Sequence, residues 1–221
     1  MEHSFWHDRW ESGRIGFHER EPNPLLVTHF PALSVPENGR VFVPLCGKTL
    51  DIAWLLSKGH HVAGAELSEL AIRQLFEDLG VEPKISDLGK LKCYSADSID
   101  IFVGDVFDLT STLLGTVDAV FDRAAFVALP EHMRSAYAPH IADITGNAPQ
   151  LLVTFEYDQA QLDGPPFSID GEEVKQRYGD LYDVSRLERV DVTGGLKGAA
   201  AKESIWFLRP SSTAVRFKML D

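Results

Sequence analysis

Arg40-Val41-Phe42-Val43-Pro44-Leu45-Cys46-Gly47-Lys48-Thr49 decides the fold. A compact apolar run ends in a Pro-Leu-Cys-Gly turn, and helical spacing resumes through Asp51-Ile52-Ala53-Trp54-Leu55-Leu56 until Gly59. A second strand follows at once, His61-Val62-Ala63-Gly64-Ala65-Glu66-Leu67. Ser68 is then a good N-cap for a helix whose Ile72, Leu75, Phe76 and Leu79 recur at helical spacing before Gly80. Further strands read at residues 99–103, 117–122 and 151–156. Pro130 opens a helix with Met133, Tyr137, Ile141 and Ile144 on one side, closed by Gly146. Asp170 and Glu173 have capping-box spacing for a short helix. The runs at 184–192 and 204–208 flank Gly194, Gly195 and Gly198 and read as an antiparallel hairpin, whereas 81–98 is poor in pattern and reads as surface loop.

Strands that alternate with helices imply a parallel sheet covered on both faces by right-handed crossovers, here with an antiparallel edge. The 221 residues fit one α/β domain, and no linker or internal repeat divides them. The expected organisation is a single catalytic domain over 1–221, with an α/β core at 40–210. Residues 1–30 are polar, aromatic and His-rich, and are expected to cap the carboxyl edge of the sheet.

Hydrophobic residues make up 44% and charged residues 24%, the balance of a soluble globular chain. At this length roughly 70% of the unfolded surface can be buried, so no metal or disulfide is needed to hold a core. Lys and Arg number 21 against 33 Asp and Glu, a net charge of −12 with no basic block. Sequence-independent binding to nucleic acid is therefore not expected, because its affinity comes from neutralised phosphates. The expected partner is a small molecule, and an acidic surface tolerates a cationic one. Cys46 and Cys93 are the only cysteines and form no CxxC, which suits a reducing cytosol. The first eight residues lack the basic end and apolar stretch of a signal peptide, and no window holds eighteen uncharged apolar residues. The expectation is a cytoplasmic protein with no membrane span. Nothing in the pattern indicates an obligate interface, so a monomer is expected.

Ligands of open α/β sheets bind beyond the carboxyl ends of the strands, where the strand order reverses. Gly47 lets the first turn approach a ligand, and Glu66 ends the second strand nineteen residues later. A carboxylate there can accept hydrogen bonds from both hydroxyls of a ribose. The same residues also read as a tight turn beside an exposed Glu. Gly47-Lys48-Thr49 is no phosphate loop, since that motif needs glycine at the position held by Phe42. After the third strand, Asp105 can reach an adenine amino group while Val106 or Phe107 packs on the ring; the alternative is an acidic loop with a buried Phe. Arg123 can hold a carboxylate bidentately or pair with Asp122. Trp6 and Trp10 share a face if helical, and Trp10 with Phe17 makes either a wall for a cationic ligand or an anchor for the terminal helix. His3, His7 and His18 are poorly spaced for zinc and have no cysteine near, so no metal is expected. Cys46 lacks a recognisable partnered base and reads as a buried strand-end thiol.

Several stretches in order resemble one family. They are Trp6-His7-Asp8-Arg9-Trp10 with Gly16-Phe17-His18, Val43-Pro44-Leu45-Cys46-Gly47-Lys48, and Gly59-His60-His61-Val62 leading to Glu66-Leu67-Ser68-Glu69-Leu70. Phe107-Asp108-Leu109, Asp122-Arg123-Ala124-Ala125 and Gly164-Pro165-Pro166-Phe167 continue the series. Up to about Pro210 the chain resembles the thiopurine S-methyltransferases, particularly the bacterial form. The resemblance implies a class I methyltransferase (Rossmann-like) fold: a seven-stranded, mostly parallel sheet with an antiparallel last strand, helices on both faces and an N-terminal helical cap. It implies S-adenosylmethionine as co-substrate, with Trp10, Leu45, Glu66 and Arg123 as its contacts. Asp105 and Val106 would lie beside the adenine, and Phe17 would border cofactor and acceptor.

The implied reaction is methyl transfer to the sulfur of an aromatic or heterocyclic thiol, giving S-adenosylhomocysteine and a thioether. Such a displacement rests on proximity and a water-poor site, so no catalytic base is assigned; Asp122 and Glu156 lie near strand ends and could accept a proton, though they read first as structural. Animal members carry an acceptor-contacting arginine between the last two strands, where this chain has Lys197 and Lys202. Methylation of selenium or tellurium species, as associated with bacterial relatives, is the alternative main role. A non-catalytic S-adenosylmethionine-binding module is the remaining one.

Overall fold

Val41, Phe42 and Val43 are almost solvent-free, as expected of a strand covered on both faces. The computed structural model describes residues 3–16 and 18–211. Its strands are β1 (Arg40–Pro44), β2 (His61–Glu66), β3 (Lys84–Asp87), β4 (Lys92–Ala96), β5 (Ile99–Val103), β6 (Ala119–Asp122), β7 (Gln150–Tyr157), β8 (Tyr182–Asp191) and β9 (Ala201–Pro210). The helices are α1 (His3–Glu11), α2 (Pro24–His29), α3 (Leu50–Ser57), α4 (Glu69–Leu79), α5 (Ser111–Leu114), α6 (Glu131–Ile144) and α7 (Gly171–Tyr178). One sheet joins all the strands in the order β3-β4-β5-β2-β1-β6-β7-β9-β8.

The five strands β5-β2-β1-β6-β7 are parallel, and β9 runs antiparallel between β7 and β8. Those seven reproduce the expected sheet. The sheet nevertheless has nine strands, because 81–98 is not a loop: β3 and β4 form an antiparallel hairpin that continues the sheet beyond β5. The alternation expected of a strand is missing there because β3 is an edge strand with Ile85 54% exposed, and only β4 buries residues, Cys93 and Tyr94. The hairpin is tied to α4 by Glu69, which accepts from the Tyr94 hydroxyl at 2.6 Å and from Lys92 at 2.8 Å. These donors, with Arg73, hold the Glu69 carboxyl down to about 2.

Period-two alternation sends neighbouring strand residues to opposite cores. Phe42, Ala63, Phe102, Val120 and Leu152 face α6 and α7, whose Tyr137, Ile141, Val174 and Tyr178 are buried with them. Val41, Val43, Val62, Ile101 and Leu151 face α2, α3 and α4. The expected N-terminal cap is therefore two different things. α1 lies over the sheet edge, but α2 belongs to the core through Leu25 and Leu26, started by Asn23 Oδ1 accepting from both of their N–H groups. Asp170 likewise caps α7 by accepting from Glu173 N at 2.9 Å. Glu173 does not close the capping box; its carboxylate turns to Arg134 at 2.7 Å.

Candidate active site

From β1 the chain passes to β2 on one side and later returns to β6 on the other, so β1 and β6 bound the point where the sheet order reverses. The carboxyl ends of β5, β2, β1 and β6 lie side by side. At strand spacing their row spans about 14 Å. Asp105 and Val106, then Glu66, then Leu45 to Gly47, then Arg123 follow those ends in that spatial order.

The turn after β1 is held open by left-handed backbone at Leu45 (φ 46°) and Gly47 (φ 52°). Cys46 N donates to Ala65 O at 2.9 Å, fastening the turn to β2. The close approach needs Gly64, where a Cβ would come within 2.6 Å of Ile101 and 3.1 Å of Cys46 Sγ. A Cβ on Gly47 would stand 3.0 Å from the Trp10 ring, so the indole of α1 rests on the turn; Trp10 is 5% exposed. Leu45 is half-buried and packs on the α6-side core. Glu66 is buried rather than exposed, which removes the reading of it as a surface carboxylate. Its Oε2 accepts from Gly47 N and its Oε1 from Ser68 N, each at 2.8 Å. Burial pushes its pKa up. Each oxygen retains a second lone pair for a ligand hydroxyl. Burial, then the Glu66 charge, push the Cys46 thiol well up, so it is no ready nucleophile.

Beyond β5, Asp105 caps a short 3₁₀ turn by accepting from Phe107 N at 3.0 Å, and its Oδ2 lies 3.0 Å from His3 Nε2 on α1. Val106 is buried, with its carbonyl accepting from His140 Nε2 at 2.8 Å. A cavity of about 360 Å³ opens nearby, between His7 and Glu11 of α1, Leu67 and Ser68, and the hairpin turn at Lys90 and Leu91.

At the other end of the row, Asp122 does not pair with Arg123. It accepts from Phe126 N at 3.0 Å and from the Tyr137 hydroxyl at 2.7 Å. Ala124 turns left-handed (φ 65°) immediately after, directing the chain away from the edge. The Arg123 side chain is 11% exposed and stands 3.6 Å from Glu19 Oε1, while its Nε–H is buried without an acceptor. An unsatisfied buried donor costs about 1–3 kcal/mol. Nearby, Asn23 bridges a buried and a partly buried carboxyl: its N–H donates to Asp51 at 2.7 Å and its Nδ2 to Glu203 at 3.2 Å. Burial raises the Glu203 pKa and lowers that of His18, the latter also under the charge of Lys48.

Burial pushes Asp122 up to about 6. Its folded-state value thus exceeds the unfolded one of about 3.9. The native state binds this proton more tightly, so the contribution is complete below about pH 4 and is lost as pH rises through about 6. The loss is of order 3 kcal/mol. Asp122→Asn is expected to flatten the stability slope between those pH values. Urea unfolding at pH 4, 5, 6 and 7 checks this, and a slope equal to that of the parent chain would contradict it.

The sequence pattern of the thiopurine S-methyltransferase (TPMT) family matches residues 1–208. The chain belongs to the thiopurine S-methyltransferase family. A thiopurine S-methyltransferase of Xanthobacter autotrophicus is 55% identical over 210 residues, covering 94% of this chain and 99% of the relative. The one from Gluconobacter oxydans is 50% identical, covering 93% and 94%. Among solved structures, a 1,6-didemethyltoxoflavin-N1-methyltransferase of Burkholderia thailandensis, with S-adenosylhomocysteine bound, superposes with a TM-score of 0.65 at 15% identity. It covers 94% of this chain and 87% of the other. A TehB-like SAM-dependent methyltransferase of Corynebacterium glutamicum gives 0.57 at 12% identity, over 95% and 98%. These neighbours share the fold. Family membership makes the chain an S-adenosylmethionine-dependent methyltransferase.

In this thiopurine S-methyltransferase family chain, residues far along the sequence also come near α1. Lys197, in the β8–β9 turn, donates to Pro165 O at 2.7 Å. Burial, then the Arg9 charge on α1, lower its pKa. The 164–167 loop is tied down by Phe167 N donating to Val127 O at 2.7 Å and by the Tyr157 hydroxyl donating to Pro166 O. Glu156 pairs with Arg189 at 2.6 Å. Phe17 lies outside the described residues. Glu19, Asn23 and Glu203 were not singled out in the sequence, and no local signal marks them. Their partners are brought in by the fold.

Proposed function

We propose that this chain transfers the methyl group of S-adenosylmethionine to the sulfur of an aromatic or heterocyclic thiol, releasing S-adenosylhomocysteine and the thioether. The observation that carries the reading is the row of strand ends that finishes at a buried guanidinium with an unused N–H. An extended ligand with adenosine at one end and a carboxylate at the other suits that row. In this reading Asp105 and Val106 border the adenine, Glu66 accepts from the ribose hydroxyls, and Leu45 lines the turn. Trp10 faces the sulfonium, Arg123 takes the methionine carboxylate, and Phe17 borders the acceptor.

When bound, the cofactor supplies a methyl group already activated on a sulfonium. The chain's task is then to hold the acceptor sulfur in line and keep water out. Lys197 and Arg9 contribute positive potential on the acceptor side, which favours the thiolate form of a heteroaromatic thiol. No base is needed for an acceptor that arrives ionised. We read the chain as a monomer acting as one methyltransferase domain. Two buried free cysteines support a cytoplasmic location, and the net charge of −12 supports a small-molecule partner over nucleic acid. Among the described residues no helix is long and apolar enough to cross a membrane. No cluster of three metal-ligating side chains occurs among them either.

The test is calorimetric titration with S-adenosylmethionine and S-adenosylhomocysteine, followed by product analysis with 6-mercaptopurine, thiophenol, selenite and tellurite. Micromolar binding and S-methylation of the aromatic thiols are expected. Product from the selenium or tellurium species alone would transfer the main role to metalloid methylation. Tight cofactor binding without any product would leave a binding module.

A further inference from the structure

Among the described residues, Glu19 is the single ion-pair partner of Arg123, with Oε1 3.6 Å from Nη2. At that separation the contact is Coulombic and is not a hydrogen bond. Among the described residues the Nε–H of Arg123 has no acceptor. Glu19 is 61% exposed, so its carboxylate stays largely in water while it faces the guanidinium. Asp122 is engaged by Phe126 N and Tyr137; Glu203 accepts from Asn23 and adds a more distant negative charge facing Arg123 without contacting it. A guanidinium offers paired, parallel N–H groups to one carboxylate, and Glu19 fills neither pair.

We propose that Glu19 is a built-in competitor for the carboxylate subsite of Arg123, screening the guanidinium until the ligand's carboxylate displaces it. The inference rests on the reading of Arg123 as the methionine-carboxylate anchor. A buried guanidinium with no counter-charge is unfavourable, so a carboxylate must stand near it in the ligand-free chain. A long, exposed ion pair is weak, so a bidentate carboxylate from a ligand replaces it readily. Whatever free energy holds Glu19 against Arg123 is subtracted from ligand affinity. Because Glu19 sits between α1 and α2, displacement frees only its own stretch of chain from the anchor, while Asn23 stays tied to Asp51 and Glu203. Both the methyl donor and the demethylated product are held less tightly as a result, which favours turnover over product retention.

Two probes separate the possibilities. S-adenosylhomocysteine carries the carboxylate, whereas 5′-methylthioadenosine keeps the adenosine and thioether but has no amino-acid end. Calorimetric titration of Glu19→Gln is expected to show about two- to fivefold tighter binding of S-adenosylhomocysteine. Binding of methylthioadenosine should be unchanged, and the gain should shrink with added salt. Equal or weaker S-adenosylhomocysteine binding overturns the competitor role, as does an equal gain for both probes. Arg123→Ala, with Arg123→Lys as a milder variant, tests the anchor separately. Weaker S-adenosylhomocysteine binding with unchanged methylthioadenosine binding keeps the anchor, whatever Glu19→Gln shows. Unchanged S-adenosylhomocysteine binding in both Arg123 variants removes the anchor, and the competitor with it.

Discussion

Glu66→Ala is expected to weaken S-adenosylhomocysteine binding by ten- to a hundredfold. Charge-assisted hydrogen bonds contribute about 1.5–3 kcal/mol, and a factor of ten corresponds to about 1.4 kcal/mol. The effect has two sources. One is the loss of the acceptor for the ribose hydroxyls. The other is internal: Gly47 N and Ser68 N, which now donate to the carboxylate at 2.8 Å, lose their partner, and the turn after β1 loses its tie to α4. Glu66→Gln does not rescue this, because an amide offers only one acceptor oxygen to two inward-pointing N–H groups. A ribose contact predicts the same proportional loss for methylthioadenosine as for S-adenosylhomocysteine, since both carry the ribose. Unchanged affinity in a variant that still unfolds cooperatively would contradict the assignment.

Arg134→Ala is expected to lower stability by about 3 kcal/mol, the low end for breaking a buried ion pair, because Glu173 is partly exposed and keeps Arg177 at 3.6 Å. Arg134 is 6% exposed and grips Glu173 through both Nε (2.7 Å) and Nη2 (3.1 Å). Its Nη1 donates to Leu129 O at 2.7 Å, and its guanidinium lies 5.7 Å from the Phe167 ring centre. One side chain thereby joins α6, α7 and the loop that carries Pro165 and Pro166. Thermal unfolding should fall by on the order of 10 °C for a chain of this size. The paired change Arg134→Met with Glu173→Leu should recover most of the loss, because no charge is then stranded. If the single and paired variants melt together, the ion pair is not what holds these elements.

Local rules carried a large part of this molecule. The strand–turn–helix at Arg40 to Ser57 follows from an apolar run, a glycine and a cap, all neighbours in sequence. Glu66 was legible as a candidate because a strand end and a fixed distance from the turn define its place. The row of Asp105, Glu66, Leu45 and Arg123 follows once strand order is known, because each residue lies at or within two residues of the end of its own strand. The β3–β4 hairpin escaped because an edge strand buries too little to show a period. Asp122 and Arg123 are adjacent in sequence, yet their side chains serve different partners; only the position of Tyr137 on α6 decides where the carboxylate goes.

What the amino-acid order determined by itself is the alternation of strands and helices, the left-handed turn at Gly47 and the acidic strand ends, since these depend on spacing and backbone preference within a few residues. Tertiary structure alone brought Asn23 to Glu203, 180 residues away, laid Trp10 on Gly47, and set Glu19 before Arg123. No local preference encodes such pairs. They exist because burying the two faces of the sheet forces distant segments over the same carboxyl edge, where unpaired charges must find whatever partner the packing supplies.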